Sequence, residues 1–142
     1  MAKFKRSLKK RLAGAALLLW LMGILFPMAW VSRAYPAWAT WFNQVFAPFW
    51  VHVVMHAALY AVLAFGLGWF FSPRLSWRGQ AAILLLVAVS QEGLQLWGAG
   101  RLPGRGEVFD LLVDVGGAVL GWLALRKLNR GQASGINEVK NG

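Results

Sequence analysis

The sequence predicts an all-α membrane protein: a compact bundle of four transmembrane helices, both termini cytoplasmic, with an interfacial aromatic segment between helices one and two. Three observations predict it. Hydrophobic residues make up 58% of the chain at a mean hydropathy of +0.52, and nine Trp are spread over 142 residues, a composition foreign to soluble domains of this size. Four apolar runs, Leu12 to Val31, Phe49 to Phe71, Ala81 to Trp97 and Val108 to Leu125, approach or reach the length needed to cross about 30 Å of hydrocarbon at about 1.5 Å per residue. The basic residues are distributed unevenly between the flanks of these runs.

The leader, residues 1–11, carries Lys3, Lys5, Arg6, Lys9, Lys10 and Arg11. Arg74 and Arg78 lie between spans two and three, and Arg126, Lys127, Arg130 and Lys140 follow span four. Of the fifteen Lys and Arg, only Arg33, Arg101 and Arg105 remain for the opposite side. Positive flanks stay in the cytoplasm, so both termini belong there. The formal charge of +10 is then topology plus attraction to anionic lipid, and no nucleic-acid partner is expected. A basic leader before an apolar run also has the outline of a cleaved signal peptide, with Ala37-Trp38-Ala39 as the cleavage site. The run of roughly twenty residues exceeds the 7–15 of such segments, so span one reads as an anchor.

Between spans one and two, Ser32 to Pro48 holds Tyr35, Trp38, Trp41, Phe42 and Phe46. Spacing of three to four residues lines Trp38, Trp41, Phe42 and Phe46 along one side of a short helix at the membrane boundary, either as an anchoring belt or as a lid over a lateral lipid entrance. Residues 12–128 form a single transmembrane domain, and 129–142, polar and glycine-containing, a flexible cytoplasmic tail. The absence of Cys removes disulfides, thiolate metal ligands and cysteine catalysis.

The ionisable residues inside the spans carry the functional reading. In span two, His52 and His56 stand four apart and share a helical face, continued inward by Tyr60. In span three, Gln91, Glu92 and Gln95 lie near the outer end, Glu92 and Gln95 on one face. Span four opens with Glu107, Asp110 and Asp114, the aspartates again four apart. All three ends point outward, so one pocket collects every intramembrane ionisable group. A charge at a helix centre costs about 2.5–3.5 kcal/mol, so such groups need partners. They form either a structural network or a binding or catalytic site. The loop from Gly98 to Gly106 adds Arg101 and Arg105, whose guanidiniums match phosphate or carboxylate. Gly117 and Gly121 form a G-x-x-x-G for close helix packing, with Gly116 beside it.

Taken in order, His56-x3-Tyr60, Glu92-x2-Gln95, Pro103-Gly104-Arg105 and Asp110-x3-Asp114-x2-Gly117-x3-Gly121 resemble the VanZ-like family, named for a teicoplanin-resistance membrane protein. The resemblance covers about 49–122. Where many members have an Asp-Lys pair ahead of the histidine, this chain has His52 and Val53. The resemblance implies a multi-pass protein of the bacterial cytoplasmic membrane, with a link to glycopeptide resistance in some members.

Three functions compete. The first is a non-enzymatic binder of a lipid-linked anionic headgroup, with His52, His56, Tyr60, Glu92, Gln95, Arg101, Arg105, Asp110 and Asp114 around the ligand. The second is an accessory or assembly subunit that packs on a larger envelope machine through its glycine face. The third is a hydrolase or transferase acting on a lipid phosphate or glycan, with His56, Glu92 and Asp110 as catalytic candidates. In that case His52, His56, Asp110 and Asp114 would hold a divalent metal. The binder is preferred, and with it no cofactor is expected.

Overall fold

Helix α1 covers Ala2–Ile24 and puts its basic residues in its first half and an apolar stretch, Arg11–Ile24, in its second. In this computed structural model the described residues are 2–26, 31, 34–46, 48–71, 75–100 and 102–141, with side chains described from residue 8 to residue 131, except 9, 10 and 43, within those ranges. The helix closes in a turn in which the Leu25 N–H donates to the Leu21 carbonyl at 3.0 Å. Pro27 follows in the sequence and disfavours helical backbone in the residue before it, so α1 stops at Ile24 although the apolar run continues to Val31. Residues 27–30, with Arg33 and Arg74, lie outside the described residues.

Helix α2, Pro36–Phe46, begins on a proline, whose fixed φ and missing N–H suit the first helical position. Its rings pair along the helix, Trp38 with Trp41 at 5.0 Å and Phe42 with Phe46 at 4.4 Å between centroids. Trp38 and Trp41 remain exposed. Helix α3, Phe49–Phe71, starts where the Pro48 carbonyl accepts from the N–H groups of Val51 and His52. Helix α4, Trp77–Ala99, is capped by Ser76, whose hydroxyl accepts from the Gly79 N–H at 3.2 Å. It ends at Gly100, held at φ 65° with its N–H turned to the Leu96 and Trp97 carbonyls, a left-handed cap that favours glycine.

Helix α5, Arg105–Asn141, opens on half of a capping box: the Glu107 carboxylate reaches back and accepts from the Gly104 N–H at 2.6 Å. The helix continues beyond Leu128 into the segment expected to be a flexible tail; its apolar run ends at Leu125, ahead of Arg126 and Lys127. Three helices, α3, α4 and α5 as far as Gly131, are long and apolar enough to cross a membrane, and the apolar part of α1 is shorter. The chain is therefore a multi-pass membrane protein, all-helical among the described residues.

Helix α3 is apolar on nearly every side, and the other helices pack around it. Antiparallel α1 docks through Trp20, whose indole N–H donates to the Leu59 carbonyl at 3.0 Å, and through Leu17, which lies against Gly66. The core joins Ile24 to Tyr60, Leu63, Leu67, Val87 and Ala88. The closest packing is between α3 and α5. These two run parallel, with Gly117 against Ala57, Gly121 against Ala61 and Leu125 against Gly68. A Cβ on Gly117 or Gly121 would run into the backbone of Ala57 or Ala61, so the G-x-x-x-G ridge brings the two helix backbones into direct contact. The remaining faces present Leu85, Leu86, Val89, Leu112, Val115, Val119 and Leu120 outward, an apolar exterior of the kind lipid covers.

The two ends of the α3–α5 bundle differ. At one end Trp77 and Trp122 pack at 6.1 Å, with the guanidiniums of Arg78 and Arg126 over their rings at 5.5 and 5.0 Å. The ionisable residues gather toward the other end.

Candidate functional site

The site follows from the parallel register of α3 and α5. Each helix carries two polar residues four apart, hence on one face. Parallel packing sets these faces rung against rung. His52 Nε2 meets Asp110 Oδ1 at 2.9 Å, and one turn further in His56 Nδ1 meets Asp114 Oδ1 at 2.9 Å. The two imidazoles lie against each other, tilted by 40°, at 4.4 Å between centroids. A third rung crosses to α4, where the Tyr60 hydroxyl donates to Gln91 Oε1 at 2.9 Å.

Burial deepens along this ladder. The His52 and Asp110 side chains are 40% and 15% exposed, whereas those of His56 and Asp114 are 7% and 1% exposed. Glu92 enters from α4 and is also buried. Three carboxylates, Glu92, Asp110 and Asp114, thus face two imidazoles. Among the described residues, Glu92 Oε1 and Asp114 Oδ2 are buried without a hydrogen-bond partner. Buried acceptors left unmatched are costly, more so where no solvent can reach them.

The metal-ligating set expected from the sequence, His52, His56, Asp110 and Asp114, is divided by the structure into two overlapping groups. His52, His56 and Asp110 form one, and His56, Glu92 and Asp114 the other, with the ligand atoms in each within 4.8 Å of one another. Beside the second group, a mostly apolar cavity of about 170 Å³ runs between α4 and α5, from Tyr60, Ala88 and Asp114 to Gln80, Trp77 and Trp122.

His52, His56, Tyr60, Glu92, Asp110 and Asp114 are thus brought together. Gln95 is half-buried one turn nearer the end of α4 and makes no hydrogen bond among the described residues. Arg105 stands exposed at the first residue of α5, five residues ahead of Asp110, and Arg101 lies outside the described residues. Gly117 and Gly121 lie one and two turns below Asp114, where they set the approach of the helices rather than line the site. Sequence reasoning left Gln91 out of the site. Its signal was present, since Ala88, Gln91, Glu92 and Gln95 follow i, i+3, i+4, i+7 spacing and share one stripe of α4.

Tyr60→Phe should strip Gln91 of its donor while leaving the ring packing in place. The expected loss is about 0.6 kcal/mol, the average for hydrogen bonds between membrane helices, and at most about 1.7 kcal/mol. Equilibrium unfolding in micelles reads it directly; an unchanged midpoint would mean that this rung contributes nothing to stability.

No protein-family model matches the chain, and neither a curated protein nor a solved structure matches it.

Proposed function

We propose that this chain is a VanZ-like protein of the bacterial cytoplasmic membrane that binds a lipid-linked anionic headgroup at the outer face. In this reading α1 supplies the fourth span, and both termini are cytoplasmic. The aromatic helix α2 lies in the outer interface. The Trp77–Trp122 end, with Arg78 and Arg126 over the rings, sits at the inner interface, where basic residues and amphipathic rings are favoured.

One observation carries the binding function. The polar ladder opens at partly exposed His52, Arg105 stands exposed at the same end of the bundle, and the inner rung at Asp114 borders an apolar cavity. A headgroup held by Arg105 and a histidine at the mouth would leave its hydrocarbon tail free to follow the apolar channel. The protein acts by holding its ligand, not by transforming it. The glycine ridge, the surface an accessory subunit was expected to use, is occupied within the chain by Ala57 and Ala61, so a partner protein would need another face.

Native mass spectrometry of the protein released from its membrane tests the reading. The original chain should retain an anionic lipid, and Arg105→Ala should lose it by at least about tenfold, roughly the 1.4 kcal/mol expected of a charge-assisted contact. Equal retention in both, or none in either, would overturn the assignment. Loss of the lipid should also change teicoplanin susceptibility if the resistance role of the VanZ-like proteins extends to this chain.

A further inference from the structure

We propose that His56, Glu92 and Asp114 form a divalent-metal site buried between α3, α4 and α5. Each helix contributes one ligand, and the three ligand atoms lie within 4.8 Å of one another. The residues are 5%, 5% and 1% exposed. Clusters of this kind on a protein surface are commonly just solvated; this one is buried between three helices.

The independent observation is the pair of orphaned oxygens. Glu92 Oε1 and Asp114 Oδ2 are buried without a hydrogen-bond partner among the described residues. Both are acceptors, and His56 Nδ1 stands 2.9 Å from Asp114 Oδ1, so an ion held by this pair would take the place of the proton the two atoms share. What the site lacks is positive charge, since two carboxylates face one imidazole in an apolar surround. A dication supplies that charge and satisfies both oxygens at once.

The donor set narrows the ion. One imidazole nitrogen with two carboxylate oxygens suits Zn²⁺, Mn²⁺ or Fe²⁺ and disfavours soft Cu⁺. Three protein ligands leave a coordination position open, the arrangement that admits an oxygen of water or of a ligand. The neighbouring group, His52, His56 and Asp110, is the weaker choice. It is partly exposed, has a single carboxylate and contains no orphaned oxygen. The assignment does not depend on the headgroup reading, because it concerns an ion and not a lipid.

The full chain in detergent micelles, stripped with chelator and then equilibrated with Zn²⁺ or Mn²⁺, should take up about one ion per chain by elemental analysis and calorimetry. Glu92→Gln, nearly isosteric, should weaken uptake by at least about tenfold, whereas Asp110→Asn should leave it within a few-fold. Co²⁺ loaded into the unmutated chain gives a readout independent of any variant's folding: visible d–d bands of a low-coordinate nitrogen and oxygen site, against the faint spectrum of the hydrated ion. No uptake by the unmutated chain, undiminished uptake by Glu92→Gln, or loss in Asp110→Asn equal to that in Glu92→Gln would each overturn the site. The last result would move the ion to the His52 rung.

Discussion

Gly117→Leu should abolish the folded bundle, the largest effect expected of any single substitution in this chain. A Cβ at this position would lie 2.7 Å from Ala57 Cα and 2.8 Å from its carbonyl carbon. Those are backbone atoms, which cannot rotate aside as a side chain can. Helix α5 would have to move away from α3, and with it Asp110 and Asp114 from their histidines. Overpacking alone costs about 1–3 kcal/mol. Breaking a buried ion pair adds about 3–5 kcal/mol, and the two together rival the total stability of a small domain. Size-exclusion chromatography and thermal melting in micelles should show loss of the monodisperse species. Gly116→Leu is the control, because nothing lies within 4 Å of a Cβ there. Equal behaviour of the two variants would refute the close contact of α3 with α5.

The second large effect is a difference between two substitutions that look alike in sequence. His56→Ala should destabilise the protein by about 3–5 kcal/mol, since it strands Asp114, 1% exposed, in the apolar interior. His52→Ala should cost no more than about 1 kcal/mol, because its pair is partly open to solvent. Double-mutant cycles with Asp114→Ala and Asp110→Ala measure each coupling. A larger coupling for the His52 pair would reverse the depth ordering of the ladder.

Much of this arrangement was legible in the sequence. The i,i+4 spacing of both histidines and both aspartates fixed which face of each helix would be polar, and the convergence of three span ends on one side brought them into one pocket. The pairing itself was not legible. Which histidine meets which aspartate depends on the axial register of α3 against α5, set by where Gly117 and Gly121 meet Ala57 and Ala61, a relation between distant segments with no local signature. Helix α1 ends at Ile24, short of the apolar run's end at Val31, and residues 27–30 between them lie outside the described residues. Hydropathy continues through Pro27 to Val31, and averaging over a window hides a single residue whose ring stops a helix. Gln91 was legible only through the stripe of α4 it shares with Ala88, Glu92 and Gln95, since its partner Tyr60 is a distant residue on another helix. The length of α5 past Leu128 ran against composition, since Gly131, Ser134 and Gly135 lower helix propensity without forbidding a helix.

The parallel contact of α3 with α5 also bears on how the protein is made. Parallel neighbours cannot be consecutive in an up-and-down chain, so α4 must be threaded before α5 can reach α3. During synthesis, His52 and His56 therefore enter the bilayer without their aspartates, and they stay unpaired until α5 emerges from the ribosome. A chain terminated after α4 would carry an unmatched polar face, the kind of exposed intramembrane feature that quality-control proteases read, so the order of insertion is itself part of what the pairing of these two helices requires.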